Sequence, residues 1–152
     1  MDKCETCEHL RNTDNRIAQT DDWVVALAPD QGYLGRCYVS LRSHKGSLAE
    51  LSEHEWREFA RVATALENAA KKAFEATPLN WACMMNNAYQ RGEANPHVHW
   101  HFRPRYKTPV IINGTEFSDP LYGHHYDRDQ RRRVDDKTFQ AILSKLKGSV
   151  EL

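Results

Sequence analysis

The stretch NPHVHWHFRPRY, residues 95–106, places histidines at 97, 99 and 101 with one residue between each pair. On a β-strand such positions share one face, with roughly 6–7 Å between successive side chains. His97, His99 and His101 would then form a row of imidazoles, while Val98, Trp100 and Phe102 point the other way, into a core. Two kinds of chemistry use such a row. Alternate histidines on a strand can bind a metal, with a further ligand from elsewhere. Alternatively, one neutral imidazole attacks phosphorus while its neighbours orient it and supply protons. An ordinary imidazole, with a pKa of about 6.5, is largely unprotonated at neutral pH, and a phosphoramidate formed on it can pass its group to water. Crowded imidazoles resist being charged together, which keeps the middle one neutral. A second chemical signal is CETC, residues 4–7, a Cys-x-x-Cys pair that amounts to half a metal site.

The row needs a scaffold, and the flanking sequence supplies one. DWVVALA (22–28) reads as a buried strand, PDQGYLG (29–35) as a turn, and RCYVSLR (36–42) as a second strand, giving a hairpin with a long loop. SEHE (52–55) is a capping box, in which Ser52 and Glu55 satisfy each other's backbone donors. Trp56, Phe59, Ala63, Leu66, Ala70 and Ala73 follow at steps of three and four, predicting a long helix whose aromatic face is core. NWACMMNN (80–87) and HVHWHFR (97–103) read as two more strands, joined by the polar loop 88–96. VIINGTEF (110–117) carries an Asn-Gly hairpin signal. DDKTFQAILSKLKG (135–148) predicts a short amphipathic helix, and 118–134 carries no assignable pattern. Strand–strand–helix–strand–strand with short loops predicts an α+β fold: an antiparallel sheet packed against one main helix, with a C-terminal extension and a short terminal helix.

Bulk properties narrow the function classes. The 152 residues fit one domain, 1–152, with no repeat or linker to divide it. Lysine plus arginine and aspartate plus glutamate are equal at 21 each, so no global charge draws the chain to nucleic acid or to an anionic membrane. No apolar run approaches the ~20 residues of a membrane span, and MDKCETCEHL lacks the apolar segment of a signal peptide. A cytoplasmic setting is expected, where thiols stay reduced. Cys37 and Cys83, in apolar runs, read as core residues, and His9, His54, His124 and His125 as surface residues. The basic run RDQRRR (128–133) reads as a solvated face, with the alternative that it grips distal phosphates if its segment folds over the histidine row.

His-Val-His-Trp-His-Phe-Arg resembles the signature of the histidine triad (HIT) superfamily of nucleotide hydrolases and transferases. Further features fall in register: Gly35-Arg36 followed by CYVSLRSH, the SLAELSEHE stretch that opens the helix, and Asn86 eleven residues before His97. The resemblance covers about 4–106 and leaves 107–152 as an extension. It implies that His99 attacks the α-phosphorus of a nucleotide and that His101 hydrogen-bonds the leaving-group side. It also implies that Asn86 helps hold the phosphates and that the backbone N–H groups of 94–101 stabilise the developing charge. Zinc-bearing members carry an N-terminal Cys-x-x-Cys, a histidine after the second strand and the first triad histidine as ligands. Here these are Cys4, Cys7, His44 and His97, implying a structural zinc. Members commonly form homodimers. Histidine rather than glutamine at the third triad position, His101, favours hydrolysis of a dinucleoside polyphosphate or nucleoside phosphoramidate over nucleotidyl transfer. A zinc-stabilised nucleotide sensor and a catalytic metal on the triad are the other readings. The chain departs from the family pattern at Gly92-Glu93-Ala94, where a Gln and a Ser or Thr are usual, and at Arg36, where a His is common. The ribose-binding position falls on Ala28, with Asp30 the nearest candidate.

Overall fold

The structure, a computed structural model, describes residues 4–90 and 92–152; residues 1–3 and Arg91, in the loop expected at 88–96, lie outside them. Five strands form one antiparallel sheet: β1 (Arg16–Gln19), β2 (Trp23–Leu27), β3 (Cys37–Leu41), β4 (Leu79–Cys83) and β5 (His99–Pro104), in the order β1-β2-β3-β5-β4. The hairpin β6 (Val110–Ile112) and β7 (Thr115–Phe117) is separate. Its turn is Asn113-Gly114, both at positive φ (50° and 75°), the conformation that Asn-Gly readily adopts in a tight hairpin. Three helices complete the fold: α1 (Glu5–His9), α2 (Glu53–Phe74) and α3 (Asp136–Lys147).

The capping box opens α2 as expected. Ser52 Oγ accepts from the Glu55 amide at 3.2 Å, and the Ser52 amide donates to Glu55 Oε2 at 2.6 Å. The face α2 buries is largely the expected one: Leu66 and Ala70 are core, Phe59 and Ala73 pack against it, and Phe59 meets Trp23, Trp81 and Trp100. Val62, Leu66, Ala69, Ala70 and Phe74 sit over the sheet, whereas Trp56 is 38% exposed and meets Phe59 edge-on. In its first turn Glu55 is buried, accepting from Lys45 at 2.6 Å and from Ser43 at 3.1 Å. Burial opposes ionisation of that carboxyl, but hydrogen bonds from Lys45, Ser52 and Ser43 prevail and hold its pKa down at about 2.

The sheet departs from expectation in one strand end and one added strand. The third expected strand stops at Cys83, because 86–89 closes into a 3₁₀ turn. Strand β1 was not anticipated: only Ile17 of its four residues is buried, too little for an alternating signal.

The C-terminal third shares the core. Ile112, Phe117, Ile142, Leu143 and Leu146 lie in one cluster with Trp23, Val39, Leu66 and Phe102. Residues 118–134, which carry no pattern, are laid down along the β2–β3 turn by hydrogen bonds. The Gln31 amide donates to the Arg132 carbonyl (2.8 Å), the Arg132 amide to Asp30 Oδ1 (3.0 Å), and Gln130 Nε2 to the Gly32 carbonyl (2.8 Å). The approach is close enough to need glycine at 32, where a Cβ would lie 2.0 Å from the Gln130 carbonyl oxygen.

Arg105 anchors the same segment. Its Nε and Nη2 donate to Asp119 at 2.6 and 2.9 Å, and its remaining donors reach the carbonyls of Leu121 and His124 at 2.7 Å each. Both side chains are buried, at 2% and 0% exposure. Asp119→Ala would strand a buried guanidinium, so it should cost about 3–5 kcal/mol of stability. Chemical denaturation measures this, and a loss below about 1 kcal/mol would contradict the assignment of Arg105 as an anchor.

Candidate active site and metal cluster

Strand β5 positions the histidines. Its register with β3 pairs Tyr38 with His101 and Ser40 with His99, and its register with β4 pairs Ala82 with His101. Phe102 is buried in the core, and Trp100 stacks on Phe59 of α2 with ring centroids 4.7 Å apart. The even-numbered side chains therefore face the helix, as expected. The odd-numbered ones line a cleft of about 680 Å³ on the opposite face.

His97 does not share the environment of the other two. It precedes the hydrogen-bonded strand, is 2% exposed, and turns toward the N-terminal segment. Its Nε2 donates to the Leu41 carbonyl at 2.7 Å, which leaves the Nδ1 lone pair facing the thiols of Cys4 and Cys7, 3.3 Å from each. His44 Nδ1 lies 3.4 Å from Cys7 Sγ, and the four ligand atoms fall within 4.8 Å of one another. Tetrahedral zinc with Zn–S near ~2.3 Å and Zn–N near ~2.0 Å needs ligand atoms roughly 3.5 Å apart, so this donor set fits the ion. The carbonyl that fixes the His97 tautomer is an outer partner of the kind metal-bound histidines use. The thiols alone are a poor pair: burial, then hydrogen bonding and repulsion from Cys4, hold the Cys7 pKa up at about 11. A divalent cation reverses that sense. Cys4 also caps α1, accepting from the Cys7 amide at 3.4 Å.

His99 is only part-buried. Its Nδ1 donates to the His97 carbonyl at 2.8 Å, so in the neutral ring the lone pair is on Nε2. The ring lines the cleft, 4.9 Å between centroids from His101, and Tyr38 stands edge-on to both. His101 lies deeper. Its Nε2 is 3.4 Å from the Met84 carbonyl, and its Nδ1 is buried with no partner among the described residues.

Burial, then the nearby His99, pull the His101 pKa down to about 4, so the ring is neutral at pH 7 and can accept a hydrogen bond. The sign for stability follows. In the unfolded chain this ring protonates near its ordinary value of 6.5, but in the folded protein only near 4. Stability from this group is full above 6.5 and is lost as pH falls from there through about 4. The Tm advantage of wild type over His101→Asn should shrink across that window. Parallel Tm curves for the two proteins would refute the assignment.

The other expected residues fall around the same cleft. Asn86 opens the 3₁₀ turn 86–89, is exposed, and lines the cleft with Asn87 and Gln90. Asp30 also lines it, but its carboxylate accepts from Arg36 Nη1 (2.7 Å), the Gly32 amide (2.9 Å) and the Arg132 amide (3.0 Å). Of roughly four lone-pair sites on a carboxylate, one remains for a ligand hydroxyl. Glu93 and His9 border the cleft as exposed residues, whereas His54 pairs on the surface with Asp22 at 2.6 Å. His124 and His125 are exposed, as expected. The run 128–133 divides: Arg128 and Arg131 line the cleft, while Arg132 turns to the Glu116 carbonyl at 2.7 Å.

Sequence reasoning missed Arg103 and Tyr126 as cleft residues, and placed the run holding Arg128 and Arg131 there only on condition that its segment folds over the histidines. Arg103 had a signal, since it continues the row 97, 99, 101 by one more step of two. Tyr126 had none, because it arrives from the segment folded back along the β2–β3 turn.

Comparison with solved structures gives the same fold. The chain superimposes on a hypothetical histidine triad nucleotide-binding protein from Sulfolobus tokodaii with a TM-score of 0.67 at 16% identity, over 96% of this chain and 91% of that one. A Zn-bound histidine triad family protein from Mycobacterium smegmatis gives 0.60 at 18% identity, over 95% and 94%. A uridylyltransferase mutant gives 0.62 at 15% identity, covering 96% of this chain but 46% of that longer one. No family model matches the chain, and no curated protein matches it in sequence. The fold is that of histidine triad proteins.

Proposed function

We propose that the protein is a nucleotide hydrolase of the histidine triad type, acting through a nucleotidyl-histidine intermediate on His99. The observation that carries this reading is the hydrogen bond from His99 Nδ1 to the His97 carbonyl, which leaves Nε2 as a free base beside the cleft. In the first step the Nε2 lone pair forms a P–N bond to the α-phosphorus. The leaving group departs with the electrons of its P–O or P–N bond and takes a proton from solvent water, which the attacking water of the second step returns, with the hydrogen bonding at that side supplied through His101. In the second step water attacks the same phosphorus, the P–N bond to His99 breaks, and the nucleoside monophosphate is released. Asn86 and the remaining acceptor site of Asp30 hold phosphate and sugar. The backbone N–H groups of 94–101 meet the charge on the non-bridging oxygens.

Cys4, Cys7, His44 and His97 hold a structural zinc that ties the N-terminus to β5. The metal leaves His99 free to react, and a cytoplasmic setting keeps both thiols reduced for it. The chain is taken as one unit over 1–152 and as a homodimer: β4 is an outer strand of the sheet, half-exposed along its whole length. Sedimentation giving the mass of a single chain would contradict the dimer.

Nucleotidyl transfer is the second reading, favoured by the likeness to the uridylyltransferase fold. Incubation with diadenosine polyphosphates and adenosine phosphoramidates separates the readings. Release of AMP in water, without any acceptor, is the expected result. Turnover only when a phosphorylated acceptor is added would replace hydrolysis by transfer. Nucleotide binding without turnover under either condition would leave a sensor.

A further inference from the structure

Arg103 leaves β5 on the same face as His99 and His101, yet it is 8% exposed. Tyr126 from the 118–134 segment covers it, with the guanidinium carbon 3.7 Å from the ring centroid. The pairing of Cys37 with Phe102 sets Arg36 beside Arg103 one step further along. Like charges opposed across strands are destabilising, and burial followed by the Arg36 charge lowers the Arg103 pKa. Asp30 balances Arg36 at 2.7 Å, but among the described residues no carboxylate pairs with Arg103. The Nε groups of both arginines are buried without a partner among the described residues. Arg128 and Arg131, from the same segment as Tyr126, line the same cleft. Of the other cleft carboxylates, Glu5 follows Cys4, which lies against His97, and Glu93 is exposed in the loop that precedes the histidines.

Four guanidiniums line the cleft and, among the described residues, only that of Arg36 among the four is ion-paired, which makes a site for an anion. That anion is not the reacting phosphate, because Arg103 lies four residues, roughly 13 Å, along the strand from His99. We propose that Arg36, Arg103, Arg128 and Arg131 seat a second phosphate of the substrate, so that this chain selects nucleotides carrying a phosphate group besides the one that meets His99. The inference rests on the nucleotide reading above. The second phosphate comes from one of two sources, the leaving-group side of the reacting phosphorus or a sugar 2′- or 3′-phosphate.

Equilibrium binding tests this without requiring turnover. Dissociation constants for AMP, ADP and adenosine 3′,5′-bisphosphate are measured by calorimetry at fixed ionic strength. The proteins are wild type, the double variant Arg128→Ala/Arg131→Ala, and Arg133→Ala. Both double-variant positions are exposed, so the fold is retained, which circular dichroism checks. One of the two-phosphate ligands should bind wild type at least about tenfold tighter than AMP, as charge-assisted hydrogen bonds warrant. The preference should fall to within about twofold in the double variant and persist in Arg133→Ala. A gain for ADP assigns the leaving-group side, and a gain for the bisphosphate assigns the sugar. Equal affinities in wild type, or a preference that survives in the double variant, overturn this inference and leave the nucleotide reading standing. No binding of any of the three overturns both.

Discussion

Replacing His99 with alanine is expected to lower kcat/KM by roughly 10⁴-fold or more, as loss of a covalent nucleophile does elsewhere. The reason is positional. His99 Nδ1 is committed to the His97 carbonyl, so Nε2 keeps its lone pair toward the cleft. His101 cannot take over, because its ring is deeper and its Nε2 lies against the Met84 carbonyl. The ring of His99 contributes little to the core, so His99→Ala should unfold at a temperature close to wild type. Turnover within about tenfold of wild type would remove His99 from the chemistry.

The second large effect concerns the N-terminal cluster. The purified protein should carry about one zinc per chain, and Cys4→Ser/Cys7→Ser none. Thermal unfolding of the double variant, or of wild type with a strong chelator, should reveal a loss of several kcal/mol. Part of a structural zinc's binding energy, roughly 10–16 kcal/mol in small zinc domains, would then be folding energy here too. The rest of the core stands without the metal, since Trp23, Leu66 and Phe102 do not depend on Cys4. Activity should fall as well, by roughly 10–100-fold, the cost of loosening an outer partner of a reacting group. The link is the His97 backbone, which connects the cluster through its imidazole to His99 through its carbonyl. Zinc-free protein with unchanged stability would contradict the cluster's structural role.

The parts of this architecture legible in the sequence are those set by local spacing. Alternation in RCYVSLR and HVHWHFR gives β3 and β5, Ser52 and Glu55 give the start of α2, and Asn113-Gly114 gives the β6–β7 turn. Most of the face α2 buries was legible, since Phe59, Leu66, Ala70 and Ala73 all meet the core. The exposure of Trp56 and the burial of Glu55, bonded by Lys45 and Ser43, were not. The second wall of the cleft was illegible for a different reason. Arg132 meets Asp30, and Gln130 meets Gly32, across about a hundred residues of chain, and no local pattern records such contacts. Arg103 lies between these cases: its register with the histidines was visible, but its burial under Tyr126 was not.

The most direct test of the account is detection of the intermediate itself. Wild type is mixed with a diadenosine polyphosphate and quenched without acid, since a P–N bond to histidine does not survive it. Intact-mass and peptide analysis then follow. The account predicts a mass increase of one adenylyl group, mapped to His99 and absent from His99→Ala. AMP release during steady turnover with no adduct on any histidine would contradict it and assign the chemistry to direct attack by water.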